Sequence, residues 1–158
     1  MKKAFESLKA LLPGNWEGEG FAKFPTIQST AYTEWWNFQA DKHKDAIHYL
    51  QHTCYKNNTA DNGKTVFWDT GFILLKEEKI MLVSAQYAGR TETYELTDHD
   101  NGRFVFDSMH IDNDPKTIRS QRIVKVDKQD LLYELNMSTH QAETFQNHLQ
   151  AQLRKKIG

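Results

Sequence analysis

From residue 15 to about residue 139, apolar and polar side chains alternate with a period of two, which is the spacing of half-buried β-strands. Short charged or glycine-containing segments such as Asp61–Gly63 and Lys76–Lys79 interrupt the alternation. The strands delimited in this way are residues 31–39, 47–55, 64–75, 81–87, 91–96, 104–109, 118–126 and 131–137. With the glycine-rich segment that follows residue 14, the pattern predicts an all-β protein, an antiparallel up-and-down barrel of about ten strands.

The first residues follow a different period. Phe5, Leu8 and Leu12 recur at helical spacing, and Pro13 and Gly14 end the run. We therefore predict a short N-terminal helix whose apolar face covers one end of the barrel.

A second change of period follows residue 139. Ala142, Phe145, Leu149 and Leu153 lie at i, i+3, i+7 and i+11, the spacing of one helix face. This predicts a C-terminal helix, with His148 on or beside its apolar face and directed toward the body of the protein.

Composition narrows the possible partners. The chain has 158 residues, which we interpret as one domain over residues 1–158. With 20 basic and 21 acidic side chains, it has a net charge of -1, which gives no electrostatic reason to expect a nucleic acid or an anionic membrane as partner. A single cysteine, Cys54, and the lack of a signal-peptide or membrane-spanning pattern favour a cytoplasmic protein. We expect a monomer or a weak homodimer.

The seven histidines are the natural candidates for metal ligands. His48 and His52 have the spacing of a helical zinc pair, but they fall in a predicted strand, where their side chains would be about 13 Å apart. One metal ion cannot bridge that distance. His148 is the remaining candidate, although a histidine packed against a helix face is commoner than a ligand.

Several short motifs carry a family resemblance. The chain begins its β region with Gly14-Asn15-Trp16-Glu17-Gly18-Glu19-Gly20, followed by Pro25-Thr26-Ile27, and later has Thr70-Gly71, Ala85-Gln86, Lys116 leading to Arg122, Met137-Ser138-Thr139 and Phe145-Gln146-Asn147-His148-Leu149. In this order, over nearly the whole chain, the motifs resemble those of the nitrobindins. These are haem-binding β-barrels similar in shape to lipocalins and fatty-acid-binding proteins.

The resemblance implies a cofactor and a set of site residues. It implies one haem b at the mouth of the barrel, with iron ligated by His148. Thr26, Gln86 and Met137 match positions beside the haem, and Lys116 or Arg119 is a candidate partner for a propionate. The implied activity is isomerisation of peroxynitrite to nitrate by ferric haem, with reversible binding of nitric oxide. No catalytic residue beyond the haem iron is implied.

One position departs from the family pattern. Phe67 stands where many nitrobindins have a histidine, and Asp69 and Thr70 stand where they have glutamate and serine. A pocket with Phe67 would be more apolar and would offer one hydrogen-bond donor fewer.

Two alternatives remain open from the sequence. The barrel could be a non-catalytic carrier of haem, a fatty acid or another small apolar ligand. It could also be an interaction module whose interior is filled by its own aromatic side chains.

Overall fold

The computed structural model describes residues 1–23 and 28–157. These residues form one helix, α1 (Lys2–Leu11), and ten strands. The strands are β1 (Gly14–Ala22), β2 (Thr30–Ala40), β3 (Ala46–Tyr55), β4 (Thr65–Lys76), β5 (Lys79–Gln86), β6 (Thr91–Asp100), β7 (Arg103–Asp112), β8 (Thr117–Asp127), β9 (Asp130–Thr139) and β10 (Ala142–Lys155). No helix in this part of the chain is long and apolar enough to cross a membrane.

The strands form a closed antiparallel barrel in which each strand pairs with its neighbours in sequence. Closure is made by β1 and β10, whose register runs from Trp16 opposite Lys155 to Ala22 opposite Leu149. The predicted fold class and the approximate number of strands are therefore confirmed. Because the barrel is closed, the ladder leaves no free strand edge.

The predicted N-terminal helix is confirmed, and it closes one end of the barrel. Phe5, Leu8 and Leu12 are fully buried, which accounts for their helical spacing. The indole N–H of Trp16 at the start of β1 donates to the carbonyl of Leu12 at 2.8 Å, which fixes the helix against the barrel.

The predicted C-terminal helix is wrong, because residues 142–155 form strand β10. Two features of the sequence explain the error. Ala151 and Leu153 are buried at strand spacing, but register shifts near residue 148 break the alternation upstream and leave Phe145 exposed. The local pattern therefore mimics a helical period, whereas closing the barrel requires a strand that pairs with both β1 and β9.

The glycines of β1 permit close strand approach. A Cβ at Gly18 would lie 1.9 Å from the carbonyl oxygen of Gln152 on β10, and one at Gly20 would lie 2.4 Å from the Tyr32 ring on β2. The glycine-rich segment thus lets β1 and its neighbours come together where a side chain would block them.

Candidate functional site

A cavity of about 260 Å³ opens into the barrel at the end opposite α1. It begins where β1, β3 and β5 end and where β2 and β4 begin. Its apolar walls are formed by Ala22, Val66, Phe67, Leu135, Met137 and Leu149. The volume is slightly below the roughly 300–1,000 Å³ typical of small-molecule pockets.

The predicted pocket residues Gln86 and Met137 both line this cavity. Met137 lies near the end of β9 and is 5 % exposed. Gln86 ends β5, and its amide donates to the Glu92 carboxylate at 2.6 Å. Phe67, the residue that departs from the family pattern, also lines the cavity, so the substitution makes its wall more apolar.

The other predicted site residues are placed differently. Lys116 is exposed in the turn before β8, outside the cavity lining, and its backbone N–H donates to Asp114 at 2.9 Å. Arg119 lies over the Phe145 ring at 4.1 Å and bonds to Asp107 at 2.7 Å. Thr26 lies outside the described residues. The ligand contacts of these three residues stay predictions.

His148 occupies an irregular point of β10. Asn147 pairs with Asn136 and Leu149 pairs with Leu135, so His148 is the extra residue of a β-bulge. Its carbonyl accepts the backbone N–H of Lys23 at 2.6 Å, and its side chain is 1 % exposed. Leu149, the next residue, lines the cavity, whereas His148 is outside the lining.

Burial lowers the pKa of His148. The imidazole is therefore neutral at physiological pH, which is the form that can give a nitrogen lone pair to a metal. Within the described residues no three histidine, cysteine, aspartate or glutamate side chains gather into a metal site.

Beneath the cavity lies a charged cluster that the sequence reasoning missed, the interior network of Asp69, Ser84, Glu92, Tyr94 and Arg122. The Arg122 guanidinium bonds to Asp69 at 2.7 Å, to Ser84 at 3.2 Å and to Glu92 at 3.4 Å. All five side chains are buried. Burial opposes ionisation of Glu92, but Arg122 and Arg90 outweigh it and hold its pKa below the ordinary value.

Hydrogen bonds from neighbours complete the network. The Tyr49 hydroxyl donates to Asp69 at 2.9 Å, and the Tyr94 hydroxyl donates to Glu92 at 2.5 Å. Arg90, at the cavity wall, forms one ion pair with Glu92 at 2.9 Å and another with Asp114 at 3.0 Å. Two arginines thus balance the two buried carboxylates.

A further buried acid, Glu34, lies on β2 between Tyr32 and Trp36. One of its oxygens accepts from the Trp36 indole at 3.0 Å and from the Gln51 amide. Burial raises its pKa to about 7, because these donors and the more distant Arg122 only partly offset the lost hydration. Glu34 is therefore partly protonated at neutral pH.

Several polar atoms of residues that line the cavity have no hydrogen-bond partner among the described residues. They are the Tyr32 hydroxyl, the Gln51 carbonyl oxygen and the Nε atoms of Arg90 and Arg122. All four residues line the cavity. Because buried polar atoms are seldom left unbonded, the cavity is suited to ordered water or a polar group of a ligand.

Comparison with known proteins places these features in a family. The model of the THAP4-like, heme-binding beta-barrel domain matches residues 5–155. The chain belongs to this family of haem-binding β-barrels. The resemblance to nitrobindins is thereby confirmed.

Individual relatives agree with the family match. Peroxynitrite isomerase 1 of Rhodococcus jostii (strain RHA1) is 32% identical over 152 residues, which cover 92% of this chain and 82% of that protein. The crystal structure of Rv2717c from M. tuberculosis superposes with a TM-score of 0.80 at 26% identity, covering 98% of each chain. The S-type phycobiliprotein lyase CPES of Guillardia theta, at a TM-score of 0.59 and 10% identity, covers 99% of this chain and 93% of its own and shares the fold alone.

Proposed function

We propose that the protein binds one haem b at the open end of the barrel, with His148 as the axial ligand, and isomerises peroxynitrite to nitrate. Binding of nitric oxide at the same iron is part of the proposal. The observation that carries it is His148 itself, a buried and neutral histidine on a β-bulge directly before a cavity-lining residue, in a haem-binding family. The relative named peroxynitrite isomerase supports the choice of reaction.

The chemistry of the cavity is compatible with haem. Phe67, Met137 and Leu149 provide apolar and polarizable surface for a porphyrin face. Haem when bound would supply the iron at which peroxynitrite rearranges, an isomerisation that needs no second reactant. The protein's part is to keep the axial imidazole neutral and to exclude water with the apolar wall. Its last role is to keep the carboxylates of the interior network from ligating the iron in place of the imidazole.

The interior network bears on that last role. Asp69 and Glu92 are the carboxylates of the network, and Arg122 forms an ion pair with both. An engaged carboxylate is a poor competitor for iron, because ligation would leave the buried guanidinium without its partner. The network therefore favours ligation by imidazole rather than by carboxylate.

The same observations count against storage of a long fatty acid. Below the network, aromatic rings pack against one another inside the barrel. The ring centroid of Trp36 lies 5.2 Å from that of Phe38 and 5.1 Å from that of Tyr133. Arg122, the buried cation that could meet a fatty-acid carboxylate, already carries Asp69 and Glu92. An acyl chain would find no room below the network, and its carboxylate could reach only the Nε atoms of Arg90 and Arg122. A haem carrier without catalytic activity would use the same cavity. The rate of peroxynitrite decay distinguishes it from the proposed isomerase.

Titration with ferric haem, followed by the Soret band, tests the cofactor. Wild-type protein is expected to bind one equivalent with a histidine-ligated spectrum, and His148→Ala is expected to lose that spectrum. The matched control is His99→Ala, which removes an exposed histidine at the α1 end of β6. Unchanged binding in His148→Ala would refute the axial assignment.

Stopped-flow mixing of the haem-loaded protein with peroxynitrite tests the reaction. Faster peroxynitrite decay with nitrate as the product is expected, and it should be lost in His148→Ala. Haem binding without any acceleration would refute the isomerase and leave the haem carrier.

A further inference from the structure

Among the described residues, two positively charged side chains line the cavity, Arg90 and Arg122. Arg122 belongs to the interior network and its side chain is 2 % exposed, whereas Arg90 lies in the connection between β5 and β6 at the open end and is 18 % exposed. In both, the buried Nε atom has no hydrogen-bond partner in the part of the chain that the structure describes. The cavity wall therefore holds two cationic N–H donors that a ligand could use.

The other nitrogens of Arg90 hold its guanidinium in place. One Nη atom donates to Glu92 at 2.9 Å and the other donates to Asp114 at 3.0 Å. With both of these nitrogens bonded, the Nε–H is the donor that remains for a ligand. Buried donors are seldom left unbonded in a folded protein, so an acceptor is expected at this point of the wall.

The Glu92 carboxylate does not depend on Arg90 alone. It also accepts hydrogen bonds from three other side chains, those of Gln86, Tyr94 and Arg122. Arg122 is in a different position, because within residues 1–23 and 28–157 it is the one cation paired with Asp69. Sharing the charge of Arg122 with a ligand would weaken the neutralisation of a fully buried carboxylate, which is costly. Of the two arginines, Arg90 is the one that can take a further acceptor.

The Asp114 carboxylate is also held by other donors. It accepts from the Thr117 hydroxyl at 2.6 Å and from the backbone N–H of Lys116 at 2.9 Å. Burial opposes its ionisation, but these two bonds, and after them the charge of Arg90, hold the pKa of Asp114 below its ordinary value. Asp114 therefore stays bonded when Arg90 shares its charge with a ligand.

The donor and its surroundings indicate the ligand group. A guanidinium matches both the charge and the planar geometry of a carboxylate. Apolar side chains such as Phe67 and Leu149 form much of the remaining wall, so a fitting ligand combines a carboxylate with an apolar body. In the strand order, the β5–β6 connection lies across the barrel from β10, the strand of His148. A metalloporphyrin with propionates at its edge and its metal at the centre needs contacts on two different walls of this kind.

We propose that Arg90 is the carboxylate anchor of the cavity, and that in the proposed haem complex it binds a propionate. The identity of the ligand rests on the proposed function. Lys116 and Arg119, the cations that the family resemblance suggested for this contact, both lie outside the cavity lining. Arg119 is in addition bonded to Asp107 at 2.7 Å. Arg90 differs from both because it lines the cavity itself.

Iron-free protoporphyrin IX and its dimethyl ester test the anchor, because the ester keeps the ring but has no carboxylate charge. Quenching of tryptophan fluorescence measures the dissociation constant of each. Wild-type protein is expected to bind the acid at least about tenfold more tightly than the ester, as one charge-assisted hydrogen bond allows. Arg90→Met is expected to lose this preference and to bind the ester as wild type does.

Two further variants serve as control and as second test. Arg103→Met makes the same substitution at the start of β7, at the α1 end, and should keep the wild-type preference. Asp114→Asn keeps an oxygen for Thr117 and Lys116 but removes the charge that competes for Arg90, so it should increase the preference. Circular dichroism establishes that each variant is folded, and Asp114→Asn gives an independent answer if Arg90→Met does not fold.

The proposal is overturned by a wild-type protein that does not prefer the acid, by an Arg90→Met variant that keeps the full preference, or by an Asp114→Asn variant that does not increase it. Loss of the preference in Lys116→Met or Arg119→Met, with Arg90→Met unaffected, would move the contact to the rim. Because this porphyrin has no iron, none of these results depends on axial ligation. A ferric haem spectrum that is unchanged in His148→Ala would refute the axial ligand and leave the carboxylate anchor standing.

Discussion

The two ends of the barrel differ in packing and in hydrogen bonding. At the α1 end, Phe5, Leu8 and Trp16 are fully buried and the indole N–H of Trp16 is bonded. At the open end, a cavity of about 260 Å³ adjoins polar atoms of Tyr32 and Arg122 that have no hydrogen-bond partner within residues 1–23 and 28–157. The first end has the packing of a core, and the second retains space and unused hydrogen-bonding capacity. Stability and ligand binding are thus assigned to opposite ends of the barrel.

The interior network is the boundary between the two ends, and removing its cation should have the largest effect. Arg122→Met leaves Asp69 buried without a cation and Glu92 with Arg90 as its only cation among the described residues, so we expect the free energy of unfolding to fall by about 3–5 kcal/mol. Urea denaturation followed by tryptophan fluorescence measures it.

An exposed arginine provides the control for this substitution. Arg103→Met breaks a surface ion pair with Asp98 and should change the free energy of unfolding by no more than about 1 kcal/mol. Equal stability of the Arg122 and Arg103 variants would mean that the interior network does not hold the open half together.

A matched pair of leucines sharpens the comparison of the two ends. Leu8→Ala, on the buried face of α1, should cost about 3–5 kcal/mol of unfolding free energy, because it creates a void in a filled core. Leu149→Ala at the cavity wall should cost only about 1–2 kcal/mol, since its side chain already borders empty space. Thermal and urea unfolding of both variants measure the difference, and equal losses would contradict the division into a core end and a cavity end.

Glu34 makes the free energy of unfolding depend on pH. Its folded pKa of about 7 lies above the ordinary value of 4.5, so the folded protein binds this proton more tightly than the unfolded chain. The stability that it contributes is complete below about pH 4.5 and is lost as the pH rises through 7. The shift corresponds to about 3 kcal/mol at most.

Glu34→Gln tests this linkage, because the amide keeps an acceptor for Trp36 and Gln51 but cannot ionise. The variant should match wild type in unfolding free energy near pH 4.5 and exceed it by up to about 3 kcal/mol at pH 8. Urea titrations across that range measure it, with the exposed Glu143→Gln as control. Parallel pH curves for wild type and Glu34→Gln would show that Glu34 does not titrate in this window.

The barrel could be predicted well because the alternation of apolar and polar residues in each strand is a local property of the sequence. Period two, broken by short turns, delimited eight strands within a few residues of their observed bounds. It failed at β10, where the bulge at His148 shifts the alternation and the pairing partners lie far along the chain. Strand pairing of this kind is a tertiary effect that no window of neighbouring residues contains.

The candidate site was less accessible from the sequence. Gln86, Met137 and the importance of His148 came from family resemblance, not from spacing. The interior network was missed although the sequence carried a signal for it. Asp69, Glu92 and Arg122 are charged residues at inward positions of the alternation. A charge at an inward position predicts a buried partner, but which strands supply it depends on the register across the barrel.

Phe67 offers the smallest and most specific test of the open end, and it rests on the proposed haem site. A histidine at this position would add a hydrogen-bond donor to an otherwise apolar wall. In haem-loaded protein, Phe67→His should therefore bind cyanide about fivefold more tightly, chiefly through slower dissociation, because one hydrogen bond contributes about 1 kcal/mol. Phe67→Leu, which changes the size of the side chain without adding a donor, is the matched control. If both variants change cyanide dissociation equally, the wall acts through its shape, and the missing histidine has no bearing on ligand affinity.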